Sequence, residues 1–222
     1  MDRNAELINC FKVIRDDLDA LMPILIKHQT SHSDNHYYRV RESNPCDLTA
    51  VERAARLIYL NKTCYNGLYR VNSSGRFNVP VGSYVRPKIF DEPNLVSVSG
   101  ALRGAELLVS DFSAIADIVA QGDFVYLDPP YYTETTGFTS YAVGAGGRAS
   151  FGAYEHQRLS NLVHRFVGRG CHVVLSNSDT NYVRRLYRGL SRNVVTARRL
   201  INCDGTGRRP INELVITSAC PA

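Results

Sequence analysis

The tetrad Asp128-Pro129-Pro130-Tyr131 follows the apolar run Phe124-Val125-Tyr126-Leu127. It sets a carboxylate, two rigid prolines and an aromatic ring at the carboxyl tip of what reads as a buried strand. Open α/β sheets bind their ligands at that end of their strands. The residue types suit one chemistry in particular. An exocyclic amine on a nucleobase is a poor nucleophile, because its lone pair is delocalised into the ring, so a site that makes it react must hold the nitrogen with acceptors that favour a pyramidal geometry. Asp128 and the Pro129 carbonyl are such acceptors, and the prolines fix the backbone while removing N–H donors. Tyr131 offers a stacking face for a base that has left its duplex. The plain alternative is a rigid turn, which a strand-end Asp-Pro-Pro also makes. The tetrad alone does not choose between the two.

The elements around it support a site. From residue 105 onward, apolar runs at 106–110, 124–127, 172–175, 192–198 and 213–217 are separated by helical stretches, of which Tyr154 to Val167 and Thr180 to Leu190 are the longer. That alternation predicts a doubly wound α/β sheet. The last two runs flank Gly205-Thr206-Gly207 and predict an antiparallel hairpin. Upstream, Leu7, Phe11, Ile14, Leu18, Leu21 and Leu25 recur at spacings of three and four and predict one long core-facing helix. Thr49 with Glu52 forms a capping box that opens a second helix, running to about Asn61. Residues 64–84 read as a hairpin with Asn72-Ser73-Ser74-Gly75 at its turn, and Pro80 marks an edge or irregular strand. A projecting basic ribbon of this kind has the dimensions to enter a DNA major groove.

Composition narrows the class. The chain has 222 residues, 44% of them apolar, enough for one large domain or one domain with a sizeable insertion. Its six cysteines, Cys10, Cys46, Cys64, Cys171, Cys203 and Cys220, lie far apart with no C-x-x-C pair, which argues against a zinc site and against a disulfide framework. His28, His32 and His36 are spaced four apart, but no paired cysteine or carboxylate follows them, and no metal is expected. No signal peptide is visible, nor an apolar run approaching the roughly 18 residues of a membrane span. A net charge of +5 and a pI near 8.9 fit a nucleic-acid partner without requiring one.

Seven stretches together carry a resemblance: DRNAELINCF (2–11), YLNKTCYNGLYRVNSSGRFNVPVGSY (59–84), AELLVSDFSAI (105–115), FVYLDPPYY (124–132), FTSY (138–141), HVVLSNSDT (172–180) and INELVIT (211–217). The chain resembles the Dam-type DNA adenine N6-methyltransferases, and NGLYR followed by GRFNVPVG is the most specific part of the match. The resemblance implies a Rossmann-like methyltransferase sheet, formed by residues 1–26 and 100–222, with a target recognition region at 27–99. It implies S-adenosylmethionine as methyl donor, no metal, and double-stranded DNA as partner, methylated at a short palindrome such as GATC. Asp128, Pro129, Pro130 and Tyr131 become catalytic residues, and Asp2, Asp111, Phe112 and Asp128 cofactor-binding ones. Asp111 also reads as a helix N-cap. Tyr65, Asn66, Leu68, Arg70, Asn78, Pro80, Arg86 and Lys88 fall in the DNA-contacting region. There Arg70 is the expected base reader, Tyr65 and Asn66 attend the gap left by a flipped adenine, and Arg76, Arg86 and Lys88 touch phosphates. The implied setting is the cytoplasm, in a bacterial or phage-encoded enzyme.

One departure from the family pattern is large. Dam-type enzymes open with a Lys-Trp-Ala-Gly-Gly-Lys-like segment, a first strand ending in Phe-x-Gly-x-Gly that receives the methionine part of the cofactor, and a second strand ending in an acidic residue. This sequence starts at that residue, Asp2, and the Gly144-Ala145-Gly146-Gly147 cluster lies after the tetrad. In the family sheet order, 3-2-1-4-5-7-6, the run at 106–110 is then expected to lack a neighbour, at a cost in unpaired backbone groups. The expectation is an N-terminally truncated sheet. Its rivals are a split enzyme whose missing strands come from a second chain, and a DNA-binding remnant without catalysis. Cytosine-N4 methylation ranks below these, because such enzymes usually carry Ser in place of Asp128 and lack NGLYR.

Overall fold

The computed structural model describes residues 1–134, 151–197 and 211–218, which fall into two compact units, residues 1–111 and the described residues from 112 onward. The FTSY stretch, the glycine cluster at 144–147, the turn at 205–207, Cys203 and Cys220 lie outside the described residues.

The first unit is helical. α1 (Ala5–Asp16) starts where the Asn4 side chain accepts from the N–H groups of Glu6 and Leu7, and it buries Ile8, Cys10, Val13 and Ile14. The long helix expected from the apolar stripe is two helices. The backbone breaks at Asp17, at φ −131° and ψ 35°, and α2 (Leu18–Thr30) resumes in a phase that still buries Leu21 and Leu25. α3 (Asp34–Glu42), capped by Ser33, and α5 (Glu92–Leu102), capped by Asp91, complete the unit with α4 (Ala50–Thr63). The Thr49–Glu52 capping box forms as expected. Arg56 is buried because it serves the end of α3: its guanidinium donates to the carbonyls of Val40 (3.0 Å) and Arg41 (2.7 Å), which the helix leaves unsatisfied. The core is one cluster in which Leu21, Leu25, Tyr37, Ala54, Ala55, Tyr59 and Leu60 are fully buried.

The second unit is a four-stranded sheet of β1 (Phe124–Leu127), β2 (His172–Ser178), β3 (Ser191–Ala197) and β4 (Ile211–Thr217), in the order β1-β2-β4-β3. β1 and β2 are parallel, with Val125 opposite Val173, whereas β4 runs antiparallel to both β2 and β3. This is the 4-5-7-6 half of the expected order, including its antiparallel closing pair. α6 (Ala153–Gly168) crosses from β1 to β2 and lays Leu159, Leu162, Val163 and Phe166, at helical spacing, on Val125, Val173, Leu175, Leu214 and Ile216. Gly170, at φ +80°, reverses the chain after α6 so that the Cys171 N–H returns to the Phe166 carbonyl at 3.0 Å. α7 (Asn181–Leu186) is shorter than the stretch to Leu190 anticipated from sequence, and Gly189 at φ +92° turns the chain into β3.

The run at 106–110 corrects two expectations. It forms no extended strand, and it does not lack a neighbour. Val109 makes an isolated parallel bridge with Asp2, through Asp2 N–H to the Leu108 carbonyl (3.1 Å) and Ser110 N–H to the Asp2 carbonyl (3.0 Å). A single residue upstream of α1 is enough to satisfy these backbone groups.

Candidate functional site

β1 ends at Leu127, so Asp128 emerges at its carboxyl tip, solvent-exposed, and residues 128–132 turn over the end of β2. The loop is held by side chains of other strands. Ser176 Oγ donates to Asp128 Oδ1 at 2.5 Å. Tyr132 N–H donates to Asn177 Oδ1 at 3.0 Å, and the Tyr132 carbonyl accepts from Ser178 Oγ at 2.6 Å. The Tyr131 hydroxyl donates to Glu213 Oε2, on β4, at 3.2 Å. Burial pushes the Tyr131 phenol above its ordinary pKa; the Ser176 hydroxyl opposes that shift and the Glu213 carboxylate reinforces it. Behind the loop, the Tyr132 ring lies 4.4 Å from that of Tyr182 and meets the buried His156 edge-on at 5.5 Å. Pro129 and Pro130 carry no N–H, so their carbonyls are the polar backbone groups of the loop's middle. An exposed carboxylate, proline carbonyls and a half-buried ring on one braced loop can accept from an amine and stack on its base.

Phe112 opens a 3-10 turn, Phe112–Asp117, with its ring half-buried. Phe151 lies 5.7 Å away and the Arg158 guanidinium sits 4.9 Å over the ring. In the first unit, Asp2 Oδ1 accepts from the Asn4 N–H at 2.6 Å, and Asp111 pairs with Arg3 at 3.8 Å.

The hairpin at 64–84 forms as an irregular ribbon of isolated bridges, Cys64–Val81 and Val71–Phe77. Asn72 makes its turn: the side-chain oxygen accepts from the N–H groups of Ser74 (3.0 Å) and Arg76 (2.9 Å). Phe77 and Val79 are buried in the helical core, and Tyr37 donates its hydroxyl to the Val79 carbonyl at 2.9 Å, so the ribbon is anchored along this arm. Tyr65 and Asn66 lie exposed on a tight turn where Asn66 takes φ +53°, in the left-handed region that Asn tolerates. Leu68 is half-buried, and its carbonyl accepts from Cys64 Sγ at 3.1 Å; the Pro80 carbonyl accepts from the Tyr65 N–H at 2.9 Å. A second pair of sequence-predicted residues meets through a side chain: Arg70 donates Nε to Asn78 Oδ1 (2.8 Å) and Nη2 to the Asn78 carbonyl (3.2 Å), which orients the guanidinium. Arg86 is exposed at φ +54°, and Lys88 pairs with Asp91 at 2.8 Å.

The three spaced histidines gather around Tyr59. His28 Nδ1 lies 2.9 Å from His36 Nε2, His32 Nδ1 bonds the Tyr59 hydroxyl at 3.0 Å, and the His28 ring stacks on Tyr59 at 4.6 Å. Arg39 Nη2 approaches His36 Nδ1 at 2.8 Å. Among the described residues no group of His, Cys, Asp or Glu is arranged to hold a metal ion, and no helix is long and apolar enough to cross a membrane.

Sequence reasoning passed over four contact residues, Ser176, Asn177, Ser178 and Glu213. The signal available was their polarity inside apolar runs, LSNS and INEL, at positions where a core strand ordinarily carries aliphatic side chains.

A family model described as D12 class N6 adenine-specific DNA methyltransferase matches residues 1–201. The chain belongs to that family. Its similarity to individual methyltransferases runs along nearly its full length. It is 40% identical to a type II methyltransferase of Methanocaldococcus jannaschii, covering 97% of this chain and 78% of the relative. It is 34% identical to the DNA adenine methylase of Serratia marcescens, over 96% of this chain and 79% of that protein. It is 32% identical to the DNA N-6-adenine-methyltransferase of Escherichia phage P1, where 93% of this chain matches 28% of the phage protein. As a member of a family of adenine-specific DNA methyltransferases, the chain has DNA as its class of substrate.

Proposed function

We propose that this chain transfers a methyl group from S-adenosylmethionine to N6 of adenine within a short palindromic DNA site such as GATC, in the cytoplasm of a bacterium or on behalf of a phage. The observation that carries this reading is the exposed Asp128 carboxylate, oriented by Ser176 at the tip of β1 and followed by two prolines and the Tyr131 ring. In this reading Asp128 and the Pro129 carbonyl accept the two amine hydrogens, which leaves the nitrogen lone pair directed away from the ring plane. Pro130 keeps the loop rigid and Tyr131 stacks on the extruded base. Orientation of this kind can supply on the order of 7–11 kcal/mol.

The residues suit the donor in their chemistry. Phe112 offers an aromatic face to an adenine, Asp2 a carboxylate to ribose hydroxyls, and Asp111 and Asp128 acceptors to amino groups. When bound, S-adenosylmethionine would supply an electrophilic methyl on a sulfonium centre. Within the chain, residues 1–26 and 100–222 serve catalysis and residues 27–99 serve target recognition. Tyr65, Asn66, Leu68, Arg70, Asn78, Pro80, Arg86 and Lys88 form the DNA-facing set.

Labelled S-adenosylmethionine, mixed with the purified chain and a GATC duplex, should yield labelled N6-methyladenine; label in N4-methylcytosine would overturn the adenine assignment. Arg70→Ala should relax sequence preference by about 10- to 100-fold, the equivalent of about 1–3 kcal/mol for a bidentate base contact. Rates on duplexes altered at one base pair at a time measure this, and an unchanged ranking of those duplexes would remove Arg70 from the role of base reader.

A second reading is favoured by β1. Among the described residues it pairs with β2 alone, and Phe124 and Tyr126 on it are 67% and 59% exposed. The backbone of an edge strand suits the addition of a further strand, as in a split enzyme completed by a second chain, and the two exposed rings leave one face of β1 open to be covered. DNA binding without binding of S-adenosylmethionine in a calorimetric titration would favour that reading, or a DNA-binding remnant.

A further inference from the structure

The end of β2 is polar where its packing calls for aliphatic residues. Along the strand Val173, Leu175 and Asn177 face one way and are all buried, Asn177 with none of its surface exposed. A buried amide costs free energy unless its hydrogen bonds are made. Packing therefore does not account for Asn177, and only one end of its amide is engaged: among the described residues the buried Nδ2 has no hydrogen-bond partner. Its Oδ1 accepts from the Tyr132 N–H at 3.0 Å and from the Ser178 N–H at 2.8 Å, and those two donors fix which way the amide points. On the opposite face, Ser176 holds Asp128 and Ser178 holds the Tyr132 carbonyl.

These contacts fall at the two ends of the loop. Pro129 and Pro130 deprive its middle of N–H donors, so a backbone ladder cannot hold it. Three consecutive side chains of a core strand do so instead. Ser176 engages one carboxylate oxygen of Asp128, which fixes the plane of the carboxylate and leaves the other oxygen for a ligand. Asn177 and Ser178 grip Tyr132 by its N–H and its carbonyl, which sets where Tyr131 lies.

We propose that Ser176, Asn177 and Ser178 are positioning residues that clamp the Asp128–Tyr132 loop in its amine-accepting geometry. This rests on the role proposed for Asp128. A misplacement of about 1 Å in such a site can cost about 100-fold in rate, so the clamp is read in turnover.

The test uses the full chain. Ser176→Ala should lower kcat by about 10- to 100-fold with unchanged affinity for DNA, and Ser176→Thr, which keeps the hydroxyl, should recover most of the loss. Parent-like kcat in Ser176→Ala, while Asp128→Ala is inactive in the same assay, would overturn the clamp. Transfer surviving in Asp128→Ala would instead overturn the underlying assignment of Asp128. Amide exchange supplies a readout that does not depend on turnover: the Tyr132 N–H should be protected in the parent and exchange at least about 10-fold faster in Asn177→Ala, with the Leu175 amide unchanged. Should that variant not fold, Ser178→Ala, which releases the Tyr132 carbonyl, should speed the same amide. A Tyr132 amide whose exchange is the same in parent and variant defeats the proposal whether or not the chain turns over.

Discussion

Asp128→Ala is expected to lower methyl transfer by about 1,000-fold or more without weakening DNA binding. Two features make the loss a report on chemistry rather than on folding. Asp128 is exposed at the tip of β1 and contributes nothing to the core formed by Val125, Val173, Leu175 and Leu214. Its partner Ser176 is only half-buried, so water can satisfy the hydroxyl left behind. The size of the effect follows from what an oriented group supplies: removing one preorganised oxyanion-hole donor costs about 100- to 1,000-fold, and an acceptor that must also fix the direction of a lone pair belongs at the upper end. Asp128→Asn keeps an Oδ1 for Ser176 and the shape of the side chain but gives up the charge, and should fall between the parent and the alanine variant. Incorporation of labelled methyl groups measures the rate, and mobility shift on the same duplex measures binding. Parent-like turnover in Asp128→Ala would remove the carboxylate from the mechanism.

How much of this could be read in the sequence depends on how local the determining physics is. The bounds of β1 were legible to the residue, because an apolar run stopped by Asp-Pro-Pro has one natural end. The Thr49–Glu52 box was legible because a cap is decided within four residues. The break at Asp17 was not: α2 resumes with Leu18, Leu21 and Leu25 in step with Ile14, so the hydrophobic stripe runs across a kink that lies only in the backbone. α3 was hidden by its polar surface, since burial of His36, Tyr37 and Val40 on an otherwise solvated nine-residue helix leaves little periodic signal. The run at 106–110 has the composition of a strand, but a strand exists by its partners, and Asp2 offers it one bridge. The tetrad announced the site by its own residue types. The residues that brace it, Ser176, Asn177, Ser178 and Glu213, lie between 45 and 82 positions away in the chain, and only the register of β2 against β1 and β4 brings them there.

The second large effect concerns acid stability and rests on His156. The ring is fully buried between Phe151, 4.8 Å away and edge-on, and Tyr132, and among the described residues neither ring nitrogen has a hydrogen-bond partner. Burial holds its pKa down to about 4, against 6.5 for an ordinary histidine, and the neighbouring Glu155 carboxylate opposes the shift only in part. Between those two values the unfolded chain binds a proton that the folded chain refuses. The neutral ring's contribution is therefore complete above the unfolded value and is lost as pH falls from 6.5 towards 4. The full loss is about 3 kcal/mol, with about 2 kcal/mol of it gone by about pH 5. His28, in the first unit, is likewise held down to about 4, by burial and then by the positive potential of His36 and Lys27, so it adds an acid-side loss of its own. His156→Phe should isolate one contribution from the other. Phenylalanine fits an aromatic niche that offers the imidazole no partner, so stability near neutrality should hold, while the decline between about pH 7 and about pH 5 should shrink by about 2 kcal/mol. Urea unfolding of parent and variant across this range gives the comparison, and parallel pH profiles would show that the His156 ring takes up its proton at the same pH in the folded and unfolded chain.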